Sequence, residues 1–586
     1  MAWNRLAMAV LATSMLATAA PVAAEGFYHR DGKKIVDGEG RPVLLRGVGL
    51  GGWMLQEGYM FGLGKLEKGQ QHVIRREITK LVGEQQAARF YKAWLDNYIT
   101  KADIDAMARW GFNSVRLPLH YNLLTLPSEE EPVAGQDSWH EDGFARIDQL
   151  LEWTRANDMV LILDLHAAPG GQGNDLPISD RDPTKPSLWE SAENRRKTVA
   201  LWKKLAERYA NEPGIAAYDL LNEPNWDFDG PKAGNGCLSR QNKALWDFYR
   251  EVIAAIRSVD RNHMIIIEGN CWGSSYHGLT EPLDPNSALS FHRYWTRNDP
   301  GAIAWNKGFS DRLGLPLWLG ETGENSNVWY RDAIALVEGE GIGWAWWPLK
   351  KIGYNNPLQV KANPGWNALV AYWLGQGPKP SAKAATEALM RLATHDVRYE
   401  NNIQRPDVID AMFRQPHTTA TIPFKANRIG REGARIAAVD FDLGRPGYAY
   451  RDREDANYFA SVGGGKKVVW NSGSIYRNDG VDITQDAGGA PYVTSFQTDE
   501  WMAYTLDAER AGEHTLKVRA RGGKGGVVTI SVNGRPVSRA SLPAGTAWVD
   551  LQFGTVGLLR GRNRVVLAAE QCDDCEIDSL AFMRSR

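Results

Sequence analysis

Between about residues 40 and 350 the chain repeats one pattern, in which a short apolar segment is followed by a polar loop and a segment of helical periodicity. Most of the apolar segments are continuous, as is typical of strands that are buried on both faces. Eight such strands separated by helices favour a closed (β/α)₈ barrel over an open sheet. The predicted strands are Pro42–Val48, Ser114–Pro118, Val160–Leu165, Ala216–Leu221, Met264–Glu268, Ala288–His292, Pro316–Gly320 and Gly343–Trp347.

The pattern changes after about residue 420, where long helical segments give way to short alternating ones rich in Gly, Thr and Val. Turn signals such as Asn533-Gly534 separate these segments, which predicts a β-sandwich. We therefore expect a barrel domain at 25–414, a polar linker at 415–432 and a sandwich at 433–586. The predicted sandwich strands are Trp501–Leu506, His514–Ala520, Val527–Val532, Ala547–Phe553 and Arg564–Ala569.

Residues 1–24 have the pattern of a signal peptide. Arg5 precedes an apolar run that is short for a membrane span, and small residues precede Glu25. A membrane anchor is the alternative reading. No later segment has 18 uncharged apolar residues, so we expect a secreted or periplasmic protein that is free of the membrane after signal removal.

Charge and cysteine content narrow the choice of partners. The formal net charge is −2 and the basic residues are scattered, which argues against nucleic-acid binding. Cys572 and Cys575 alone are weak evidence for zinc, and oxidised pairing suits an exported protein better. Cys237 and Cys271 fall on neighbouring barrel loops, where a bridge is plausible.

The chain also contains 23 Trp, an excess that suits sugar binding because pockets for such ligands have aromatic walls.

In a (β/α)₈ barrel the chemistry lies where the strands end. Glu223 ends the fourth predicted strand and Glu321 the seventh, so the two face each other across the barrel mouth. Retaining glycoside hydrolysis needs two carboxyl groups about 5–5.5 Å apart, one protonated and one ionised. We therefore predict Glu223 as the acid/base and Glu321 as the nucleophile. Arg116 is the cation expected to keep Glu321 ionised.

The other strand ends supply supporting groups. His292 and Tyr294 are expected to orient the carboxylates, and Trp347 to form the floor under the sugar. His120, His166 and His292 lie on three different strands without an HxH or HExxH motif, so we predict no catalytic metal.

Several segments of this region are characteristic in combination: RGVGLGGWMLQEG, GFNSVRLPLHY, LDLHAAPGGQ, LLNEPN, SFHRYW, LWLGETGE and GWAWWPLKK. With them, residues from about 27 to 400 resemble glycoside hydrolase family 5, and within it the exo-β-1,3-glucanase-like branch. The resemblance implies the same roles for Glu223 and Glu321. It further implies that Asn222 bonds the sugar 2-hydroxyl and that Glu57 grips the terminal sugar. The residues implied to line the subsite of the distorted sugar are Arg116, His166, His292, Tyr294 and Trp347.

Two departures from that branch leave linkage specificity open. Gly49 stands where the branch usually has Asn, and the loop Gly171–Trp189 differs from the expected glucanase sequence. Both surround the predicted entrance.

Residues 433–586 are similar to carbohydrate-binding module family 6. The similarity implies a sugar-stacking role for Trp548, in a loop after Pro543-Ala544-Gly545. Such modules usually hold a structural calcium, but Ala437 and Val439 occupy the expected acidic positions, which leaves only Asp440 and Asp578 as contributors. A non-binding sandwich that packs on the barrel is the alternative.

Taken together, these features predict a retaining β-glycosidase that hydrolyses a β-1,3- and/or β-1,4-linked β-glucan by double displacement. A β-mannanase, a xylanase or a glucan transglycosylase would use the same residues, and a non-catalytic carbohydrate-binding protein is the alternative of another class. We expect a polysaccharide or oligosaccharide substrate, a monomer and no cofactor.

Overall fold

The computed structural model describes residues 26–66, 69–454 and 470–585. The predicted signal peptide lies outside this part of the chain. A hairpin of two antiparallel strands, β1 (Gly26–Asp31) and β2 (Lys34–Gly38), comes first. Among the described residues, no helix combines the length and the apolarity that a bilayer-crossing segment requires.

Eight parallel strands then close into a barrel, which confirms the predicted fold class. Every neighbouring pair is parallel, including the closing pair of the last strand with the first. The strands lie close to their predicted positions. They are β3 (Arg46–Gly49), β4 (Ser114–His120), β5 (Val160–Ala167), β6 (Ile215–Asp219), β7 (Met264–Glu268), β8 (Ser287–Arg293), β9 (Leu317–Gly323) and β10 (Gly343–Trp347).

Helices surround the barrel and bury their apolar faces against it. In the helix Lys243–Arg257 the buried side chains include Leu245, Tyr249, Val252 and Ile256, which recur at helical spacing. Burying one such side chain stabilises the fold by about 1.5–3 kcal/mol. The helices are α1 (Gln71–Val82), α2 (Glu84–Asn97), α3 (Lys101–Trp110), α4 (Glu141–Arg155), α5 (Ala192–Tyr209), α6 (Lys243–Arg257), α7 (Ala304–Leu313), α8 (Asn327–Gly339), α9 (Pro364–Trp373), α10 (Ala382–Arg391) and α11 (Pro406–Phe413).

A small sheet follows the barrel strands, formed by β11 (Lys350–Lys351), β12 (Leu358–Gln359) and β13 (Ile403–Gln404). It begins three residues after β10. Through this sheet, the segment after β10 is hydrogen-bonded by way of β12 to β13, which lies just before α11.

The C-terminal region forms two sheets of six strands each among the described residues, which confirms the predicted β-sandwich. A separate apolar core lies between the sheets. The strands are β14 (Asn427–Ile429), β15 (Ala434–Ala437), β16 (Tyr450–Arg451), β17 (Ile483–Gln485), β18 (Pro491–Phe496), β19 (Trp501–Ala508), β20 (Gly512–Gly522), β21 (Gly526–Val532), β22 (Arg535–Leu542), β23 (Gly545–Leu558), β24 (Gly561–Cys572) and β25 (Cys575–Arg584).

Two details of the sandwich differ from the sequence interpretation. Trp548 lies within β23 rather than in a loop, because β23 continues its pairing with β20 to Gly545. β14 lies inside the predicted linker and pairs with β19, so the sandwich begins within 415–432. Both cysteine pairs are bridged, with Cα–Cα distances of 4.7 Å for Cys237–Cys271 and 5.7 Å for Cys572–Cys575.

Candidate active site

A cavity of about 510 Å³ opens at the carboxyl ends of the barrel strands. It contains the two glutamates predicted as catalytic and most of the residues predicted to bind substrate. Its lining consists of Glu57, Tyr59, His166, Asp175, Ile178, Glu223, Cys271, Trp272, Ser274, His292, Tyr294, Trp295, Glu321, Glu324 and Trp347.

Glu223 and Glu321 come together on opposite sides of this cavity. Carboxylate oxygens of the two lie within 4.8 Å of each other, and both residues are buried, at 7% and 5% exposure. Glu223 follows β6 with φ +45°, a left-handed backbone conformation that is uncommon for a residue other than glycine. Its backbone N–H donates to Oε2 of Glu268 at 2.7 Å, and this bond helps to hold the conformation.

Arg116 connects the carboxyl groups below the cavity. Its side chain is fully buried, and Nη1 donates to Oε1 of Glu321 at 2.6 Å. Nη2 donates to Asn222 Oδ1 at 2.9 Å. The other carboxyl groups within 4 Å are Asp164 at 3.2 Å, Asp219 at 2.9 Å and Glu268 at 2.9 Å. Burial alone would lower the pKa of Arg116, but these carboxyl charges raise it well above its usual value.

His292 is the second cation of the site. Its Nδ1 lies 2.7 Å from Glu223 Oε1 and its Nε2 lies 3.0 Å from Glu268 Oε1. Burial alone would lower the pKa of His292, but the charges of Glu268 and Glu321 raise it well above the usual value. The imidazole is therefore protonated at neutral pH: its Nδ1 donates to Glu223, and its Nε2 forms an ion pair with Glu268.

Five carboxyl groups share these two cations, so they do not all ionise. Burial raises the pKa of Asp164 and of Asp219 well above the usual range. Burial also raises the pKa of Glu223, to about 7, against the opposing effect of His292 and with a further increase from the charge of Glu321. The pKa of Glu268 is lowered, because His292, Arg116 and the Glu223 N–H outweigh its burial. The pKa of the Glu223 carboxyl group is thus suited to a general acid.

One wall of the cavity is built from a stacked pair of rings. The His166 and Trp347 rings are nearly parallel, with centroids 5.1 Å apart. His166 Nδ1 lies 2.7 Å from Asp164, and Nε2 lies 3.1 Å from the amide nitrogen of Asn222. Burial lowers the pKa of His166 to about 3, so this ring is neutral and its Nε2 accepts from Asn222.

The Trp347 ring explains the glycine at position 49. A Cβ at Gly49 would lie 2.4 Å from Cε3 of Trp347, and one at Gly51 would lie 2.7 Å from Cζ2. The indole therefore lies directly on the glycine backbone at the end of β3 and just after it. An Asn at position 49 would require the indole to move.

The other end of the cavity is polar. Tyr294 donates its hydroxyl hydrogen to Glu321 Oε2 at 3.0 Å, and the Trp347 indole N–H donates to the Tyr59 hydroxyl at 3.0 Å. Glu324 forms an ion pair with Lys351, whose Nζ lies 5.7 Å from the centre of the Tyr59 ring. Burial raises the pKa of Glu57 well above its usual value, and the charge of Glu321 adds to the effect.

The structure places every predicted barrel residue in or directly beneath this cavity. Arg116 and Asn222 lie beneath the lining, in contact with Glu321 and His166 respectively. The sequence interpretation missed several lining residues on loops, where no periodic pattern marks them. These are Tyr59, Asp175, Ile178, Cys271, Trp272, Ser274, Trp295 and Glu324.

Among the described residues, Glu223, His292 and Glu321 are the set whose ligand atoms come close enough together for a metal. Both nitrogens of His292 face carboxylates at 2.7 and 3.0 Å, and the ring is protonated. An imidazolium has no lone pair to offer, so this set could hold a metal only after His292 had lost its proton.

On the sandwich, Trp548 lies against Arg521, whose guanidinium carbon is 4.6 Å from the ring centre, and against Tyr492 at 5.3 Å between centroids. Asp440 pairs with Lys425 and Asp578 with Arg435. A sugar-binding role for Trp548 and a structural calcium both stay predictions.

A barrel of this type with paired carboxyl groups at its strand ends is typical of glycoside hydrolases, and the comparisons with known proteins agree. The family described as Cellulase (glycosyl hydrolase family 5) matches residues 76–353. Endoglucanase C of Acetivibrio thermocellus is 32% identical over 330 residues, which cover 45% of this chain and 88% of that protein. The protein is a glycoside hydrolase, and it belongs to glycosyl hydrolase family 5.

Two further relatives carry other names. A β-xylosidase of Phanerodontia chrysosporium is 27% identical over 381 residues, which cover 59% of this chain and 75% of that protein. A probable glucan 1,3-β-glucosidase A of Emericella nidulans is 32% identical over 315 residues, which cover 51% of this chain and 71% of that protein. The likeness is thus to enzymes named for different glycosidic linkages.

Proposed function

We propose that the protein is a retaining β-glycosidase that hydrolyses a β-glucan, with Glu223 as general acid/base and Glu321 as nucleophile. The observation that carries the proposal is the approach of the two carboxylates to within 4.8 Å. Retaining enzymes hold these groups about 5–5.5 Å apart, whereas inverting enzymes need about 6.5–9.5 Å to admit a water molecule.

The electrostatics support this division of roles. Arg116 and Tyr294 donate to opposite oxygens of Glu321, which orients this carboxylate for attack on the anomeric carbon. The pKa of Glu223, raised to about 7, keeps a proton available for the leaving oxygen. Once Glu321 has become an ester it is uncharged. The pKa of Glu223 then falls, and Glu223 acts as a base toward water.

The substrate is inferred from the relatives and the cavity together. Two of the three relatives are named for β-glucan linkages, as an endoglucanase and a glucan 1,3-β-glucosidase. Trp272, Trp295 and Trp347 line the cavity, and indole faces suit the apolar faces of pyranose rings. The β-xylosidase relative covers a longer stretch of this chain than the other two relatives, so a xyloside is the second candidate.

Product analysis tests the proposal. The purified enzyme is incubated with laminarin, carboxymethylcellulose, lichenan, mannan and xylan, and the anomeric configuration of the first product is followed by NMR. We expect a β-anomer to appear first, from at least one of the glucans. Sole activity on xylan or mannan would replace the substrate assignment, and an α-anomer as first product would contradict retention.

A further inference from the structure

The C-terminal sandwich contacts a loop that contributes Glu324 to the wall of the cavity. This loop, residues 324–327, connects β9, which bears Glu321, to α8. Glu324 lines the cavity and pairs with Lys351. The sandwich residue Asn478 lies against this loop and is fully buried.

Asn478 uses each of its hydrogen-bonding groups, and most of the bonds cross between the domains. Its side-chain amide donates to Asn325 O at 2.9 Å and to Asn327 Oδ1 at 3.0 Å. Its backbone carbonyl accepts from Asn327 N at 3.0 Å, and its backbone N–H donates to Asp407 Oδ2 at 2.7 Å. Within the sandwich, Trp470 Nε1 donates to Asn478 Oδ1 at 3.1 Å.

The loop requires such support because its backbone is unfavourable on its own. Glu324 has φ +53°, a conformation that costs an ordinary residue roughly 1 kcal/mol or more. The next residue, Asn325, is buried, so its carbonyl would lose its partner if Asn478 were shortened. Asp407 completes the arrangement, since it accepts from both Asn478 and Asn327.

We propose that Asn478 is a positioning residue for substrate binding, through which the sandwich holds loop 324–327 and so places Glu324, the ion-pair partner of Lys351, at the cavity wall. The inference rests on the proposed glycosidase function. Glu321 itself is held by Arg116 and Tyr294 within the barrel. Loss of Asn478 therefore weakens the binding of the sugar and leaves the bond-breaking groups in place.

The test compares two buried asparagines of the sandwich in the full-length protein. Asn563 is 1% exposed, and its side chain donates to Leu559 O and Gly561 O, far in sequence from the barrel. For Asn478→Ala we expect KM for laminaritriose to rise about tenfold, with kcat within about threefold of wild type. Asn563→Ala should lower the thermal unfolding temperature without a change in KM.

The split between KM and kcat separates positioning from mere destabilisation, because a smaller folded fraction lowers the apparent kcat and leaves KM unchanged. A KM for Asn478→Ala within twofold of wild type would overturn the proposal, and so would an equal rise for Asn563→Ala.

If Asn478→Ala does not fold, Glu324→Gln tests the same cavity wall through the barrel residue that lines it. It should raise KM similarly, and an unchanged KM would also overturn the proposal. Inactive wild-type enzyme on laminaritriose would instead count against the proposed substrate.

Discussion

Among the described residues, the barrel and the sandwich each bury one arginine completely, and the two arginines have different surroundings. Arg116 in the barrel faces four carboxyl groups. Arg477 in the sandwich pairs with the single carboxylate of Asp479 at 2.7 Å. Its other contacts are the carbonyls of Phe441 and Asp442 and the Phe441 ring, 3.5 Å from the guanidinium carbon.

The difference indicates what each region is built to do. At Arg477 one carboxylate balances the charge, and the arginine joins backbone segments together. In the barrel, carboxyl groups outnumber cations, and burial together with the repulsion between these groups raises several of their pKa values. Such clustering of perturbed groups is characteristic of sites of proton transfer.

The largest effect is expected from Glu321→Gln, which should lower kcat by at least about 10⁴-fold because no covalent intermediate can form. Thermal unfolding should stay close to wild type, since Arg116 keeps its other carboxyl partners. The matched change in the sandwich is Glu576→Gln, at a carboxylate paired with Arg521. That variant should keep full turnover of soluble substrate. Appreciable activity in Glu321→Gln would show that the nucleophile lies elsewhere.

The two arginines provide the next comparison. Arg116→Met should lower kcat/KM by at least about 10³-fold, because Glu321 loses the cation that holds its carboxylate in place. Arg477→Met should instead lower the free energy of unfolding by about 3–5 kcal/mol, the cost of breaking a buried pair. The kcat of Arg477→Met per folded molecule should equal that of wild type. Its KM should rise no more than the KM of Asn478→Ala. Chemical denaturation and steady-state kinetics on both variants measure the two effects. Equal loss of turnover in both would remove the distinction between the regions.

A smaller effect is the pH dependence of the wild-type enzyme. Glu223 acts first as an acid, so its active form is the protonated one, which is lost as pH rises through its pKa of about 7. For an unactivated oligosaccharide, kcat/KM should therefore fall about tenfold per pH unit above 7. An aryl glycoside with a good leaving group should show a weaker decline.

The control for this profile is Glu500 of the sandwich, whose pKa is also raised by burial. Glu500→Gln should leave the shape of the profile unchanged. A shifted profile in that variant would mean that ionisation in the sandwich also governs activity.

The sequence was sufficient for the barrel and for its central residues. Most of the strands are buried on both faces and rich in apolar residues, which makes their ends easy to locate, as near Glu223 and Glu321. Residues at the ends of parallel strands converge by topology alone. For that reason Arg116 and His292 could be predicted together with the two glutamates, whereas the role of His166 was implied by the family resemblance.

The remainder depends on contacts that no local pattern encodes. Asn478 meets Asn325 across 153 residues of sequence, and neither lies in a recognisable motif. Glu324 reaches the cavity from an irregular loop and Tyr59 from a short 3₁₀ helix, Gly58–Phe61. The family resemblance implies a loop position for Trp548, whereas pairing with β20 extends the predicted strand to Gly545. Long-range pairing of this kind is visible only in the folded structure.

Double displacement by Glu223 and Glu321 is tested most directly by the product that Glu223→Ala forms in the presence of azide. An aryl β-glycoside with a good leaving group needs little protonation, so the glycosyl-enzyme should form and accumulate. Azide requires no general base and should restore turnover by attacking this intermediate. We predict a β-glycosyl azide, identified by NMR, because two inversions retain the configuration. An α-glycosyl azide would reveal a single inversion and would contradict the retaining mechanism.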